Sequence, residues 1–383
     1  MIKSLTLAKK KTSSIDWLSF MAALTLCALG LFTMDSFNGA DPLFVRQIVW
    51  IALAVIVFFG ASFVDWRFLR RSGIAAGFYA FLLLPLVFLI IAGHSTLGAK
   101  SWFSFGLVAF QPTDFAALAL VIVLAKYFSR RHIEIRNIRH ILVSGAYAGL
   151  LFVLVALQPD LGGAIIMALI WLGMVFLSGI SWKHLLIVFS VALLLGVGLW
   201  FGGLHQYQKD RILTFLHPLA DLQGAGYNVY QSTVAVGSGQ LFGKGVGYGT
   251  QSKLRFLPEY QTDFIFAAFA EEWGFFGVLI VFALFGVIFI RIAVMASRGA
   301  SNFETLFALG VFFYFLAHFV LHVGINMGVL PVTGTTIPFM SYGGSHLLAE
   351  FLALGMLSGM NRYAGAVHKG AYQREFSGGY DAV

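Results

Sequence analysis

The chain has 383 residues, of which 59% are hydrophobic and only 11% charged, and its mean hydropathy is +0.85. Soluble domains carry about a quarter charged residues, so a water-soluble globular fold is excluded and the bilayer sets the plan. The net charge of +8 does not argue for nucleic acid, because most of the Lys and Arg residues flank apolar runs, as membrane topology requires.

Lys3, Lys9, Lys10 and Lys11 precede the first apolar run. That run is too long for a cleaved leader and has no small-residue cleavage site, so it reads as a retained span. The one cysteine, Cys27, lies within it and allows no intrachain disulfide or multi-cysteine metal site. Runs of spanning length follow at 17–34, 45–64, 73–92, 112–128, 140–157, 161–179, 184–204, 264–290, 303–325 and 342–361. The pattern predicts an all-α polytopic membrane protein of about ten spans. It divides the chain into a tail at 1–16, one transmembrane domain at 17–362 and a tail at 363–383 that is expected to be disordered. Placing the N-terminus in the cytoplasm puts Arg67, Arg70, Arg71, Lys126, Arg139, Lys183, Arg291, Arg298 and Arg362 inside. Outside remain Arg46, Lys100, Lys209, Arg211, Lys244, Lys253 and Arg255. The excess on one side predicts that both termini are cytoplasmic.

The long external loop runs from 205 to 263 and is rich in Gly. Its middle, Gly226 to Gln240, mixes apolar residues with Asn228, Gln231 and Ser232, which predicts a half-buried helix on the membrane face. Several polar groups lie in or beside apolar runs, namely Asp114, Asp160, Glu271, Glu272, His318, His322, Asn326 and Glu350. Facing lipid, each would cost a few kcal/mol (~3), so they must face the bundle interior or water. Asp114 and Asp160 each follow a Pro at a helix start, where the helix dipole favours an acid, so capping is expected of both. His318 and His322 share a helix face at i, i+4 without the Glu of a zinc-protease motif, so polar packing is expected rather than metal binding. His346 and Glu350 have the same spacing and predict a buried His–Glu contact.

The stretch Phe256-Leu-Pro-Glu-Tyr-Gln-Thr-Asp-Phe-Ile-Phe266 places Glu259 and Asp263 where this polar loop meets a long apolar run. Two readings of Asp263 stand. It is a helix N-cap, or it is a partly desolvated carboxylate with a raised pKa, suited to accept a proton. Lys100, Arg211, Lys244, Lys253 and Arg255 share its compartment. A base among cations suits a substrate with a leaving phosphate, whereas exposed cations also simply meet lipid headgroups.

The motifs resemble one family. They are Gly98-Ala99-Lys100-Ser101-Trp102, Phe110-Gln111-Pro112, Gln158-Pro159-Asp160-Leu161-Gly162, Gly243-Lys244-Gly245, Gly249-Thr250-Gln251-Ser252, Thr262-Asp263-Phe264-Ile265-Phe266 and Leu330-Pro331-Val332-Thr333-Gly334. Together they resemble the SEDS proteins (shape, elongation, division and sporulation), the RodA/FtsW group. The resemblance implies a peptidoglycan glycosyltransferase that polymerises lipid II on the outer face of the bacterial cytoplasmic membrane and releases undecaprenyl diphosphate. It makes Asp263 the catalytic acid–base group and gives Arg211 and Lys244 to the diphosphate, with Lys100, Lys253, Glu259 and Gln231 as further substrate-binding candidates and Asp114 and Asp160 as supporting acids. It implies a class B penicillin-binding protein and other elongation proteins as partners, besides membrane lipids. It also makes a divalent cation (Mg²⁺ or Mn²⁺) plausible at the diphosphate, although no dedicated ligand cluster is visible. Gly249 to Leu254 and the short N-terminal tail are more similar to RodA than to FtsW. The chain departs from the family pattern at Ala117, where Lys is usual, and at His318, His322 and His346. A lipid II translocator and a non-catalytic scaffold are the alternatives.

Overall fold

The computed structural model describes residues 15–36, 42–92, 101–105, 108–129, 138–179, 181–203, 206–217, 225–254 and 256–377. Lys100, Arg255, the four N-terminal lysines and the loop residues 218–224 lie outside the described residues. Each of the ten predicted runs falls on a helix. These are α1 (Trp17–Asp35), α2 (Pro42–Phe63), α3 (Ser72–Ala92), α4 (Pro112–Ser129), α5 (Ile138–Ala156), α6 (Leu161–Leu177) and α7 (Trp182–Gly202). The external loop contributes α8 (Gln206–Leu216), α9 (Ala225–Ser238) and α10 (Thr250–Lys253), followed by the long helices α11 (Ile265–Ser297), α12 (Asn302–Asn326) and α13 (Gly344–Ser377). Eight of these are long and apolar enough to cross a membrane, and α6 is a shorter apolar helix. A two-stranded hairpin, β1 (Phe103–Phe105) with β2 (Val108–Phe110), was not foreseen; it delivers the chain into α4.

Helix α4 is the axis of the bundle. It is apolar all round and buried almost throughout, with α3, α5, α6, α12 and α13 packed about it. In lipid there is no hydrophobic drive between helices, so close backbone approach carries the association. Helices α2 and α13 show this at Gly355, where an added Cβ would stand 2.6 Å from the carbonyl oxygen of Phe58. Helix α7 is the opposite case, with its side chains turned outward along nearly its whole length. The C-terminal stretch, expected to be disordered, continues α13 as helix to Ser377. No proline interrupts it, and its alanines, Gln373, Arg374 and Glu375 favour helix.

The run at 264–290 reads in sequence as one span, but the structure divides it. Gly274 has φ 64° and ψ −165° and breaks α11. The backbone groups freed there are met by the external loop. Phe275 N donates to Gln240 O (2.9 Å), Phe276 N to Leu241 O (3.2 Å), Lys244 N to Glu271 O (2.9 Å) and Gly245 N to Glu272 O (3.0 Å). Beyond the break, Phe275–Ser297 is about 34 Å long at 1.5 Å per residue, enough to cross the bilayer alone. The first half, Ile265–Glu272, is wholly buried in protein. It serves as a mount for Asp263, not as a lipid-facing helix.

Candidate active site

The turn that carries Asp263 is built before the helix begins. Glu259 adopts a left-handed backbone (φ 50°), and its carbonyl accepts from Thr262 N (3.1 Å) and Phe264 N (3.2 Å). Thr262 Oγ1 lies 3.2 Å from Glu259 Oε2. Three neighbours then fix the turn. Ser341 Oγ donates to Thr262 O (2.8 Å), Tyr342 N to Gln261 O (2.9 Å) and Asn326 Nδ2 to Asp263 O (2.9 Å). Beneath it, Leu257, Tyr260, Phe264 and Ala268 pack on Ala235 of α9 and Ile325 of α12.

This geometry removes the capping reading of Asp263. The N-cap of α11 is Phe264, with no side-chain capping bond, so Asp263 does not cap the helix. Its carboxylate is half-buried and accepts no hydrogen bond among the described residues. Burial pushes its pKa up to about 7; Glu259 and Asp160 add to the rise and Arg211 opposes it. A carboxyl that titrates near neutrality and has free lone pairs is equipped to take a proton.

Asp160 is the N-cap of α6, as expected. Its Oδ1 accepts from Gly163 N (2.8 Å) and its Oδ2 from Gln111 Nε2 (3.0 Å). Burial raises it to about 6, the Gly163 hydrogen bond opposes this, Asp114 raises it further, and Gln111 and Arg211 lower it. Arg211, on α8, therefore acts on both acids. It is also within 3.5 Å of Val332 O. It stands at a cavity of about 240 Å³ between α6, α7, α8 and residues 331–333. Apart from Arg211 and Thr333 the walls are apolar, with Leu161, Ile165, Leu199, Trp200, Ile212 and Val332 among them.

The other candidates separate from this group. Lys244, expected at a diphosphate, is committed elsewhere: its ammonium lies 2.6 Å from Glu271 Oε1 and 2.8 Å from Thr250 Oγ1. The buried Glu271 also accepts from Thr250 N (2.9 Å) and Gln251 N (3.2 Å), so it clamps the loop onto α11. Lys253 is exposed, with Nζ 3.3 Å from Gly247 O and 5.9 Å from the Tyr248 ring. Gln231 is half-buried on α9, and Glu259 is exposed beside Asp263. Asp114, expected to cap α4, instead reaches α13, where it meets Ser345 Oγ (3.1 Å) and His346 Nδ1 (3.1 Å). His318 and His322 bond the carbonyls of Thr336 (3.2 Å) and Thr335 (2.7 Å), which is the expected polar packing. No cluster of three His, Cys, Asp or Glu suited to a metal occurs among the described residues. Sequence reasoning gave no role to Asn326, although a polar residue ending an apolar helix was a usable signal.

The fold and site define a polytopic membrane protein with a half-buried acid and an arginine mounted beside an apolar cavity. The chain belongs to the FtsW/RodA/SpoVE family, described as cell cycle proteins, whose model it matches over residues 14–365. It is 34% identical to the peptidoglycan glycosyltransferase MrdB of Escherichia coli strain K12, covering 91% of this chain and 94% of that one. It is 33% identical to the stage V sporulation protein E of Bacillus subtilis, covering 93% and 99%. Among solved structures, a chain from a study of how a peptidoglycan synthase complex coordinates polymerisation and crosslinking superposes with a TM-score of 0.78, at 31% identity and 92% and 98% coverage. The rod shape determining protein RodA of Thermus thermophilus superposes with a TM-score of 0.68, at 29% identity and 91% and 97% coverage.

Proposed function

We propose that the chain is a peptidoglycan glycosyltransferase that polymerises lipid II at the outer face of the bacterial cytoplasmic membrane. One observation carries the mechanism: the Asp263 carboxylate is half-buried on a mount fixed by three neighbours and accepts no hydrogen bond among the described residues, and burial pushes its pKa up to about 7. In the reaction the acceptor sugar hydroxyl attacks the anomeric carbon of the donor. Its proton passes to Asp263, the new C–O bond forms, and the bond to undecaprenyl diphosphate breaks. Arg211 stabilises the charge that gathers on the departing diphosphate. The apolar cavity beside Arg211 takes the start of the lipid tail, which keeps the phosphate at the guanidinium. A divalent cation, if bound, would neutralise diphosphate charge and would be held by phosphate oxygens and water rather than by a protein cage.

The positive-inside pattern supports a single ten-span domain with both termini in the cytoplasm. The relatives and the synthase-complex neighbour support a class B penicillin-binding protein as partner, other elongation proteins around it, and a RodA-like role in elongation.

The test is polymerisation of lipid II by the purified chain, with and without a class B penicillin-binding protein whose transpeptidase is inactive. A ladder of glycan strands from the wild type that Asp263→Asn does not make supports the reading. No ladder from the wild type with its partner present, together with lipid II flipping in vesicles, would replace it with translocation.

A further inference from the structure

The buried polar group of the bundle is separate from the Asp263 site; hydrogen bonds run from it as far as Asp160, whose charge acts on Asp263. His346 lies in the first turn of α13. Its Nδ1 is hydrogen-bonded to Asp114 Oδ1 on α4 (3.1 Å), and its Nε2 is 2.8 Å from Glu350 Oε1 one turn on, an ion-pair contact without hydrogen-bond alignment. Both acids and the imidazole are buried. A neutral imidazole has one donor nitrogen and one acceptor, so it would turn a lone pair toward one of the two carboxylates. An imidazolium has donors on both sides and offsets two buried charges that would otherwise repel.

From this triad a chain of hydrogen bonds leads toward the site as far as Asp160. Ser345 Oγ donates to Asp114 Oδ2 (3.1 Å), and Gln111 N donates to Ser345 Oγ (3.2 Å). Gln111 Nε2 then donates to Asp160 Oδ2 (3.0 Å), and Asp160 acts by charge on both Asp263 and Arg211. On the other side, Glu350 Oε2 accepts from Phe339 N (2.9 Å). Phe339 lies two residues before Ser341, which holds Thr262. Both ends of the triad therefore reach the turn or its neighbours.

We propose that His346 is a positioning residue: an imidazolium held between Asp114 and Glu350 that fixes the outer ends of α4 and α13 and, through Gln111, aligns Asp160 beside Arg211 and Asp263. The cation comes from α13, since α4 has Ala117 one turn beyond Asp114. The titratable groups facing the ring are Asp114 from α4, Glu350 from α13, and Tyr314, His318 and His322 from α12; the rings of His318 and His346 are 4.6 Å apart. The functional part of the proposal rests on the glycosyltransferase reading, whereas the charge of the ring does not.

The test has two arms. In the first, the full chain carrying ¹⁵N-labelled histidine is placed in lipid nanodiscs, and the His346 signals are assigned by their loss in His346→Gln. Two protonated ring nitrogens at neutral pH are expected; a neutral tautomer overturns the proposal. In the second arm, His346→Gln is compared with His346→Gln/Asp114→Asn, which restores the wild-type net charge of the triad. The single variant is expected to lose about ten-fold in lipid II polymerisation rate and to melt earlier, and the double variant to recover most of both. A double variant no better than the single would show that His346 only fills space and would overturn the proposal. If wild type makes no polymer, the glycosyltransferase reading fails, while the ring nitrogens and melting midpoints still decide the role of His346.

Discussion

Asn326 holds both ends of the segment that carries Asp263. Its Nδ2 donates to Asp263 O at 2.9 Å, and its Oδ1 accepts from Ala267 N at 3.0 Å. One side chain at the end of α12 thus sets the height and rotation of the turn that carries Asp263. Replacing it with Ala leaves a buried carbonyl and a buried N–H without partners, at about 1–3 kcal/mol each. Asn326→Ala is expected to lower the melting midpoint and to cut polymerisation about 100-fold through misplacement of Asp263. Activity assays and a melting curve on the same sample check both.

Asp263→Asn is expected to stop polymerisation while the chain still folds. The sign of its stability effect follows from linkage. The folded-state pKa of about 7 lies above the ordinary aspartate value of 3.8, so the folded state holds the proton more tightly. Stability is therefore greatest at low pH and falls as pH rises through about 7. Asn removes that charge, so Asp263→Asn should melt at or above the wild-type temperature at pH 8. A variant that is inactive because it is unfolded would melt below it.

The neighbours of Asp263 tune its titration in opposite directions. Arg211 lowers its pKa and Glu259 raises it. In the pH–rate profile, Arg211→Ala is expected to move the acid limb to higher pH, with a weaker hold on the diphosphate. Glu259→Gln is expected to move it to lower pH. Initial rates measured across the limb separate these shifts from simple loss of activity.

Much of the fold was legible because membrane spans announce themselves by length, and Asp263 stood out, with Glu259, because it ends the polar loop where a long apolar run begins. The His346–Glu350 contact was also readable, since i, i+4 residues share a helix face. The bond from His346 to Asp114 was not, because the pairing spans 232 residues and depends on α13 packing against α4. The break at Gly274 was hidden for a related reason. A glycine in an apolar run reads as a tolerated helix residue, and only the loop that fills the break reveals it. Lys244 looked like a phosphate ligand because its buried partner, Glu271, lies on an apolar helix where no acid should face lipid.

The loop clamp makes its own prediction. Lys244→Ala leaves the buried Glu271 without its cation, at about 1.5–3 kcal/mol. The loss should appear as faster hydrogen exchange across 240–253, with a smaller effect on the rate than Arg211→Ala. Gly274→Ala should do more. The backbone there is open only to glycine, the strain alone costs about 1–3 kcal/mol, and an added Cβ would meet Gly243 N at 2.2 Å.

If Asp263 takes the proton from the attacking hydroxyl, as proposed, the polymerisation rate must follow its ionisation. The most direct test is the initial rate of lipid II polymerisation by wild type and Asp263→Asn, measured in parallel from about pH 5.5 to about pH 8.5 with the partner present. The wild-type rate is expected to climb through a midpoint near 7 and the variant to stay at background throughout. Polymer made by Asp263→Asn at the wild-type rate would contradict the proposal.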